Sequence, residues 1–226
     1  MSTLRQHFEQ DLERISEQLL EMGLQADTML DLALRALRER SVPLAEQVIA
    51  ADDEIDALDL LIEAECMRLI ALQQPTARDL RLIGTALKVI KDLERIGDHA
   101  VDIAKVARKL AHEPFQMPAG DLLQMAQRVR QMLKDALTAF LEHDLELVEK
   151  VVADDDVVDA LFHEIRSELH GRMQQDASLI VPASYLLFVA HYLERVADHT
   201  VNIAERVHYV ETGQLAQLAK SHRAGS

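Results

Sequence analysis

Four pairs of carboxylates stand out by their spacing: Asp52 with Asp56, Glu94 with Asp98, Asp155 with Asp159, and Glu194 with Asp198. Residues four apart share one face of a helix, and like charges there destabilise it by roughly 0.2–0.5 kcal/mol. Each pair also sits beside apolar positions, as Ala51 beside Asp52, Ile55 beside Asp56 and Leu93 beside Glu94, so the carboxylates border a core. Facing pairs in a partly dehydrated groove cost more, and cations are the natural compensation. Two divalent ions neutralise four carboxylates. An all-oxygen donor set suits divalent or trivalent metal ions: iron, manganese, magnesium or calcium, with zinc also accommodated.

Asp102, with Asp59 and Glu63, extends the acidic stripe of the first set, whereas Asn202, Phe162 and Arg166 occupy the corresponding places in the second. The first site is therefore expected to hold more metal, or hold it more tightly. Arg95 and Arg195 could neutralise these carboxylates as salt bridges instead, but they fall opposite the apolar seam and are expected to face water or a partner. His99 and His199 each follow an aspartate and point about 100° away from it, which predicts a supporting or surface role. A di-iron oxidase needs two Glu-x-x-His motifs on different helices, and the chain has one, Glu205 to His208. With no Gly-rich phosphate loop, nucleophile elbow or Cys/His cluster, no catalytic residue is assigned. The reading to set against a binding protein is a di-metal carboxylate enzyme, an oxidase or phosphohydrolase. A metal-free helical adaptor is a third.

These residues must be positioned by helices. The five prolines, at 43, 75, 114, 118 and 182, fall where linkers or first helical turns tolerate them, and Ser41, Thr76 and Asp144 are candidate N-caps. Helices are expected near 3–40, 43–73, 76–112, 119–142, 144–175 and 180–211. In the first, Leu12, Ile15, Leu19, Met22, Ala26, Met29, Ala33 and Ala36 form a seam spaced alternately by three and four; in the third, Ile83, Ala86, Ile90, Leu93, Gly97, Ala100, Ala104 and Ala107 form another. Strands have no comparable support.

The chain repeats itself. Leu93-Glu-Arg-Ile-Gly-Asp-His-Ala-Val-Asp-Ile-Ala104 returns 100 residues later as Leu193-Glu-Arg-Val-Ala-Asp-His-Thr-Val-Asn-Ile-Ala204, with eight of twelve positions identical. Asp52-Asp-Glu-Ile-Asp-Ala-Leu58 returns as Asp155-Asp-Val-Val-Asp-Ala-Leu161, displaced by 103. The three-residue difference fits in the turn before the last helix of each half. The fold expected is all-α, two tandem pseudo-symmetric three-helix bundles: residues 1–113 and 119–212, followed by a flexible tail over 213–226.

Composition narrows the partners. The 226 residues carry a formal charge of −15, from 39 acidic and 24 basic side chains, which argues against nucleic acid. Cys66 is the only cysteine, excluding an intrachain disulfide, and a buried structural thiol is expected there. The start of the chain is too polar for a signal peptide, and Pro182 and Ser184 break the most apolar run, so a soluble cytoplasmic protein is expected, reaching a membrane only through partners. A basic stripe of Arg81, Lys88, Arg95 and Lys109, with Lys91, Lys105 and Arg108 nearby, is either solvated or docks an acidic partner. Tyr185, Phe188 and Tyr192 on the last helix cover the other bundle or form a homodimer or partner contact.

Together, the two Leu-Glu-Arg-x-x-Asp-His motifs, the Gln74-Pro-Thr-Ala-Arg-Asp-Leu-Arg-Leu82 segment, the length and the order of elements resemble the PhoU family over almost the whole chain. The resemblance implies two three-helix bundles with multinuclear metal clusters at Glu/Asp-x-x-x-Asp motifs, here the four pairs above. It also implies a regulator that restrains phosphate-starvation signalling and phosphate uptake, linking the phosphate ABC transporter ATPase to a sensor histidine kinase. The second half has Asp176-Ala-Ser-Leu-Ile-Val-Pro182 in place of the Pro-Thr-Ala-Arg-Asp-Leu-Arg segment, so a contact made through that segment is one-sided.

Overall fold

The computed structural model describes residues 3–113 and 120–219. The helices are α1 (Thr3–Glu39), α2 (Val42–Ala50), α3 (Asp52–Gln73), α4 (Ala77–Leu110), α5 (Gly120–Glu142), α6 (Leu145–Gln175) and α7 (Ile180–Thr212), with a 3₁₀ turn at Ala177–Leu179 before α7. No strand occurs among the described residues. Pro114, Pro118 and the expected boundary between the halves lie outside them.

Both predicted seams are buried along their length. They join one continuous core of Leu, Ile, Val, Ala and Met, in which each fully buried Leu or Ile contributes about 1.5–3 kcal/mol. Helices α1 to α4 form one bundle and α5 to α7 the other, and the bundles meet where α4 packs on α7 and α1 on α5. Gly23 makes the second contact close: a Cβ there would stand 2.5 Å from Leu137 Cδ2.

The duplication extends to the turns. Arg40 ends α1 and His143 ends α5 with left-handed φ of 54° and 58°. The next residue in each case bonds back five positions, Ser41 N–H to Ala36 O at 3.0 Å and Asp144 N–H to Ala139 O at 3.2 Å. Such a bond closes the last turn of a helix. The same two residues then cap the following helix: Ser41 Oγ accepts from Leu44 N–H, and Asp144 Oδ1 accepts from Glu146 and Leu147 N–H. Asp144→Ala is expected to cost about 1 kcal/mol, measurable as a lowered denaturant midpoint without loss of helix content. Thr76 also precedes its helix, but its hydroxyl donates to Asp79 Oδ2 at 2.7 Å instead of capping the backbone.

The helix expected over 43–73 is in fact two, α2 and α3, divided at Ala51 (φ −81°, ψ −8°). The second half carries straight through the equivalent point in α6. The three-residue difference falls where expected, since residues 74–76 form a connection between α3 and α4, with Gln74 left-handed, while α6 leads through Asp176 directly into the turn before α7. The last helix runs through Pro182 and Ser184, as the span expected over 180–211 requires. Pro182 lies in the first turn of α7, where its missing N–H costs nothing, and the helix continues. By length and composition that helix is apolar enough to cross a membrane, yet it packs against α4, α5 and α6 as a core element. Residues 213–219 follow it, with Ala219 buried and the Leu218 N–H donated to Glu205 Oε1.

Candidate metal centre

The four carboxylate pairs fall into two grooves, one between α3 and α4 and one between α6 and α7. In the first, α4 approaches α3 closely because Gly97 lacks a side chain; a Cβ would stand 2.9 Å from Ile55 Cδ1. This brings Asp52 and Asp56 of α3 within the field of Glu94 and Asp98 of α4. Burial and then repulsion by Asp56 and Asp98 raise the Asp52 pKa. Burial and then Asp98 raise that of Glu94, against the pull of Arg95. In the second groove, burial and then Asp198 raise Glu194, and Asp159 adds to the effect. Asp155 there is 3% exposed, whereas its counterpart Asp52 is half-buried. The leaner groove is also the more enclosed one.

The donor set is all carboxylate and crowds like charges, most of them at least partly buried with Asp56 exposed, and one oxygen of the set and one of the adjoining Asp59 lack hydrogen bonds. Glu194 Oε2 and Asp59 Oδ1 are buried and accept none. His191 Nδ1 lies 3.2 Å from Glu194 Oε2, but burial lowers the His191 pKa, so near neutrality that contact is not an ion pair. These features suit a hard or borderline cation. Asp52, Asp56, Glu94 and Asp98 would hold it in one half, and Asp155, Asp159, Glu194 and Asp198 in the other. Among the described residues, no three acidic, imidazole or thiol groups stand converged as a coordination shell.

Two corrections explain the open arrangement. Arg95 and Arg195 do reach water, but they also neutralise the carboxylates: Arg95 Nη1 lies 2.8 Å from Asp98 Oδ2 and Arg195 Nη1 3.1 Å from Asp198 Oδ2, with Glu94 and Glu194 at 3.4 and 3.9 Å. An i,i+3 partner on the same helix lies within reach of a long side chain even when its Cα faces away. Part of the basic stripe is likewise engaged. Lys91 Nζ lies 2.6 Å from Asp59 and 3.3 Å from Glu63, Lys105 pairs with Asp102 at 3.3 Å, and Lys109 sits over the Tyr185 ring. The extra acids of the first half therefore already have cations. In the second half, Phe162 takes the place of Asp59, with the Arg166 guanidinium over its ring and the His191 ring tilted against it, centroids 6.2 Å apart.

His99 and His199 are partly buried rather than surface groups. Their rings meet across the α4–α7 contact with centroids 5.7 Å apart, and His99 stacks on Tyr192. His199 Nδ1 lies 3.0 Å from Asp92 Oδ1, to which Asn202 Nδ2 also donates at 3.0 Å. Burial, with His199 beside it, pushes the His99 pKa down to about 4. Tyr185 and Tyr192 thus cover the other half, leaving Phe188 52% exposed. Cys66 is the buried thiol expected, its pKa pushed up to about 12 by burial. Sequence reasoning missed Arg130 of α5, whose Nε and Nη2 donate to Asp27 Oδ1 and Oδ2 of α1 at 2.8 and 3.0 Å and whose Nη1 reaches Asp31. The repeat held the signal: a displacement of 103 carries Asp27 onto Arg130 and Asp31 onto Lys134.

The family model described as the PhoU domain matches residues 19–107 and again 122–207. Among curated relatives, a Clostridium acetobutylicum protein named phosphate-specific transport system accessory protein PhoU homolog is 40% identical over 95% of this chain and 98% of its own length. A protein of the same name from Aquifex aeolicus is 40% identical over 92% and 94%. Among solved structures, PhoU from Pseudomonas aeruginosa superimposes with a TM-score of 0.88 at 35% identity, covering 92% of this chain and all of that one. The phosphate transport system regulatory protein PhoU from Streptococcus pneumoniae gives 0.87 at 32% identity, over 93% and all of that chain.

Proposed function

The chain belongs to the PhoU family, and on that premise we propose that it is an accessory protein of a phosphate-specific transport system. In this reading it keeps phosphate-starvation signalling off and restrains uptake when phosphate is plentiful, by linking the transporter ATPase to a sensor histidine kinase. The observation that carries the reading is end-to-end similarity to a protein bearing that accessory name, across 95% of this chain and both copies of the repeated motif. The relatives are named as accessory and regulatory proteins, and the chain is not an enzyme. It works in the cytoplasm, meets the membrane only through its partners, and forms a homodimer. Its two repeat units, residues 1–113 and 119–212, each carry one metal groove. Bound ions, iron, manganese, magnesium or zinc, neutralise and stiffen the α3–α4 and α6–α7 pairs and so fix the surface offered to partners. The crowded carboxylates with raised pKa in both halves support this part.

Cells lacking this chain are expected to express phosphate-starvation genes in phosphate-rich medium, with repression restored when the chain is supplied. Tagged chain is expected to recover the transporter ATPase and the kinase. Full repression in its absence would sink the regulatory reading.

A further inference from the structure

Arg206 puts a charge where the other half of the chain buries a methyl-bearing side chain. At a displacement of 100 its counterpart is Val106, packed into the core at 6% exposed. Arg206 is half-buried and makes no ion pair or hydrogen bond among the described residues. Arg95, Arg128, Arg130 and Arg195, by contrast, each meet a carboxylate within 3.1 Å. A cation drawn partly out of water without a partner costs free energy. An anion is the missing piece.

The chain beyond α7 turns the position into a pocket. Gly213 ends the helix with a left-handed φ of 75°, and the segment after it folds back until the Leu218 N–H donates to Glu205 Oε1 at 2.5 Å. Asn202, Glu205 and Arg206 then face Leu215, Ala216 and Gln217 across a cavity of about 270 Å³. A water takes about 30 Å³ of liquid volume, so a tetrahedral oxyanion has room there. The N–H groups of Leu215 and Ala216 make no hydrogen bond among the described residues. Lys88 of α4 lies one helical turn from Asp92, to which Asn202 donates, and it too is exposed and unpaired. In the first half Asp102 and Lys105 stand in the places of Asn202 and Glu205 and simply pair with each other.

We propose that this pocket binds orthophosphate as hydrogen phosphate, with Arg206 and the two N–H groups donating to its oxygens and Glu205 accepting from its P–OH. The carboxylate decides which anion is taken. It repels a fully deprotonated tetrahedral ion such as sulfate, whereas a hydrogen phosphate brings its own proton and offers it. An ionised carboxylate has about four acceptor sites, so the bond from Leu218 leaves capacity for that proton. The bond between guanidinium and phosphate oxygen is of the strong, charge-assisted kind. The consequence rests on the functional reading above: a chain that restrains uptake when phosphate is plentiful measures phosphate itself.

Equilibrium dialysis of the full chain against radiolabelled orthophosphate tests this, with chelator present so that ions in the carboxylate grooves hold none of it. The expected result is saturation at one phosphate per chain, undiminished by a large excess of sulfate. Arg206→Val, which installs the residue of the first half, is expected to weaken binding at least tenfold with helical circular dichroism unchanged. Glu205→Gln is expected to let sulfate compete. No saturable uptake by the wild-type chain overturns the proposal, and uptake that survives Arg206→Val overturns the pocket as its place. Sulfate competing equally on the wild-type chain overturns the role of Glu205, and glycerol phosphate competing as well as orthophosphate overturns the free anion as the ligand. A failure of phosphate binding leaves the regulatory reading standing, since the gene-expression experiment tests that separately.

Discussion

Replacing Arg130 with alanine is expected to destabilise the folded chain by about 3 kcal/mol, the low end for removing one partner of a buried ion pair. Asp27 is 8% exposed and receives two of the guanidinium donors, so the truncation strands a carboxylate at the α1–α5 contact. The low end applies because the Arg130 side chain keeps 25% exposure and because Lys134 Nζ, 3.6 Å from Asp27, supplies some compensation. Denaturant unfolding measures the loss. Asp27→Asn in the same chain removes the stranded charge, and the double variant is expected to recover at least half of it. If Arg130→Ala alone shifts stability by under about 0.5 kcal/mol, the pair is no more than a surface bridge.

Metal is expected to have a comparable effect, and its sign depends on pH. In the folded chain Asp52, Glu94 and Glu194 hold their protons more tightly than ordinary carboxylates, so folding takes up protons. Their contribution is fully present below the ordinary carboxylate range and is lost as pH rises through the raised values. Metal-free protein should therefore lose stability between mildly acidic and neutral pH. A cation that binds only the folded state returns about 2.7 kcal/mol per site at a hundredfold excess over its dissociation constant, and should do so most strongly near neutrality, where the carboxylates need no deprotonation. Thermal melts with chelator and with added manganese or iron, at several pH values, give both slopes. Glu94→Gln with Asp98→Asn should reduce bound metal by elemental analysis, flatten the pH slope and remove the increment of the first groove only. Full metal content in that variant excludes the first groove as a site.

The helices, both seams, the repeat and the Ser41 and Asp144 caps were legible because each is local, a matter of spacing within one segment. The break at Ala51 was not, as neither Gly nor Pro marks it; the nearest sign was the acidic run Asp52-Asp53-Glu54, which favours a helix N-terminus. The arginine pairing was a named alternative set aside on a rule of faces, which places Cα atoms, whereas a guanidinium reaches around the helix. The meetings of His199 with Asp92 and Arg130 with Asp27 join residues about a hundred positions apart. Only the relative placement of the two halves brings them together. That the carboxylates would crowd was readable from the spacing, while the lysines that occupy Asp59 and Asp102 were visible only as a stripe without partners.

The charges on α1 and α5 carry a further meaning. Asp27 and Asp31 occupy the places that Arg130 and Lys134 occupy in the other half, so a first half set against another first half meets acid with acid, and a second half against a second meets base with base. The contact thus discriminates between kinds of half, yet it is blind to which polypeptide supplies them. Covalent tethering alone, through the high local concentration it creates, favours a half's own sibling over a stranger's. Coexpressed as two separate fragments, the halves should find each other and reject copies of themselves. At very high protein concentration, intact chains should be able to exchange halves without losing a single one of these contacts.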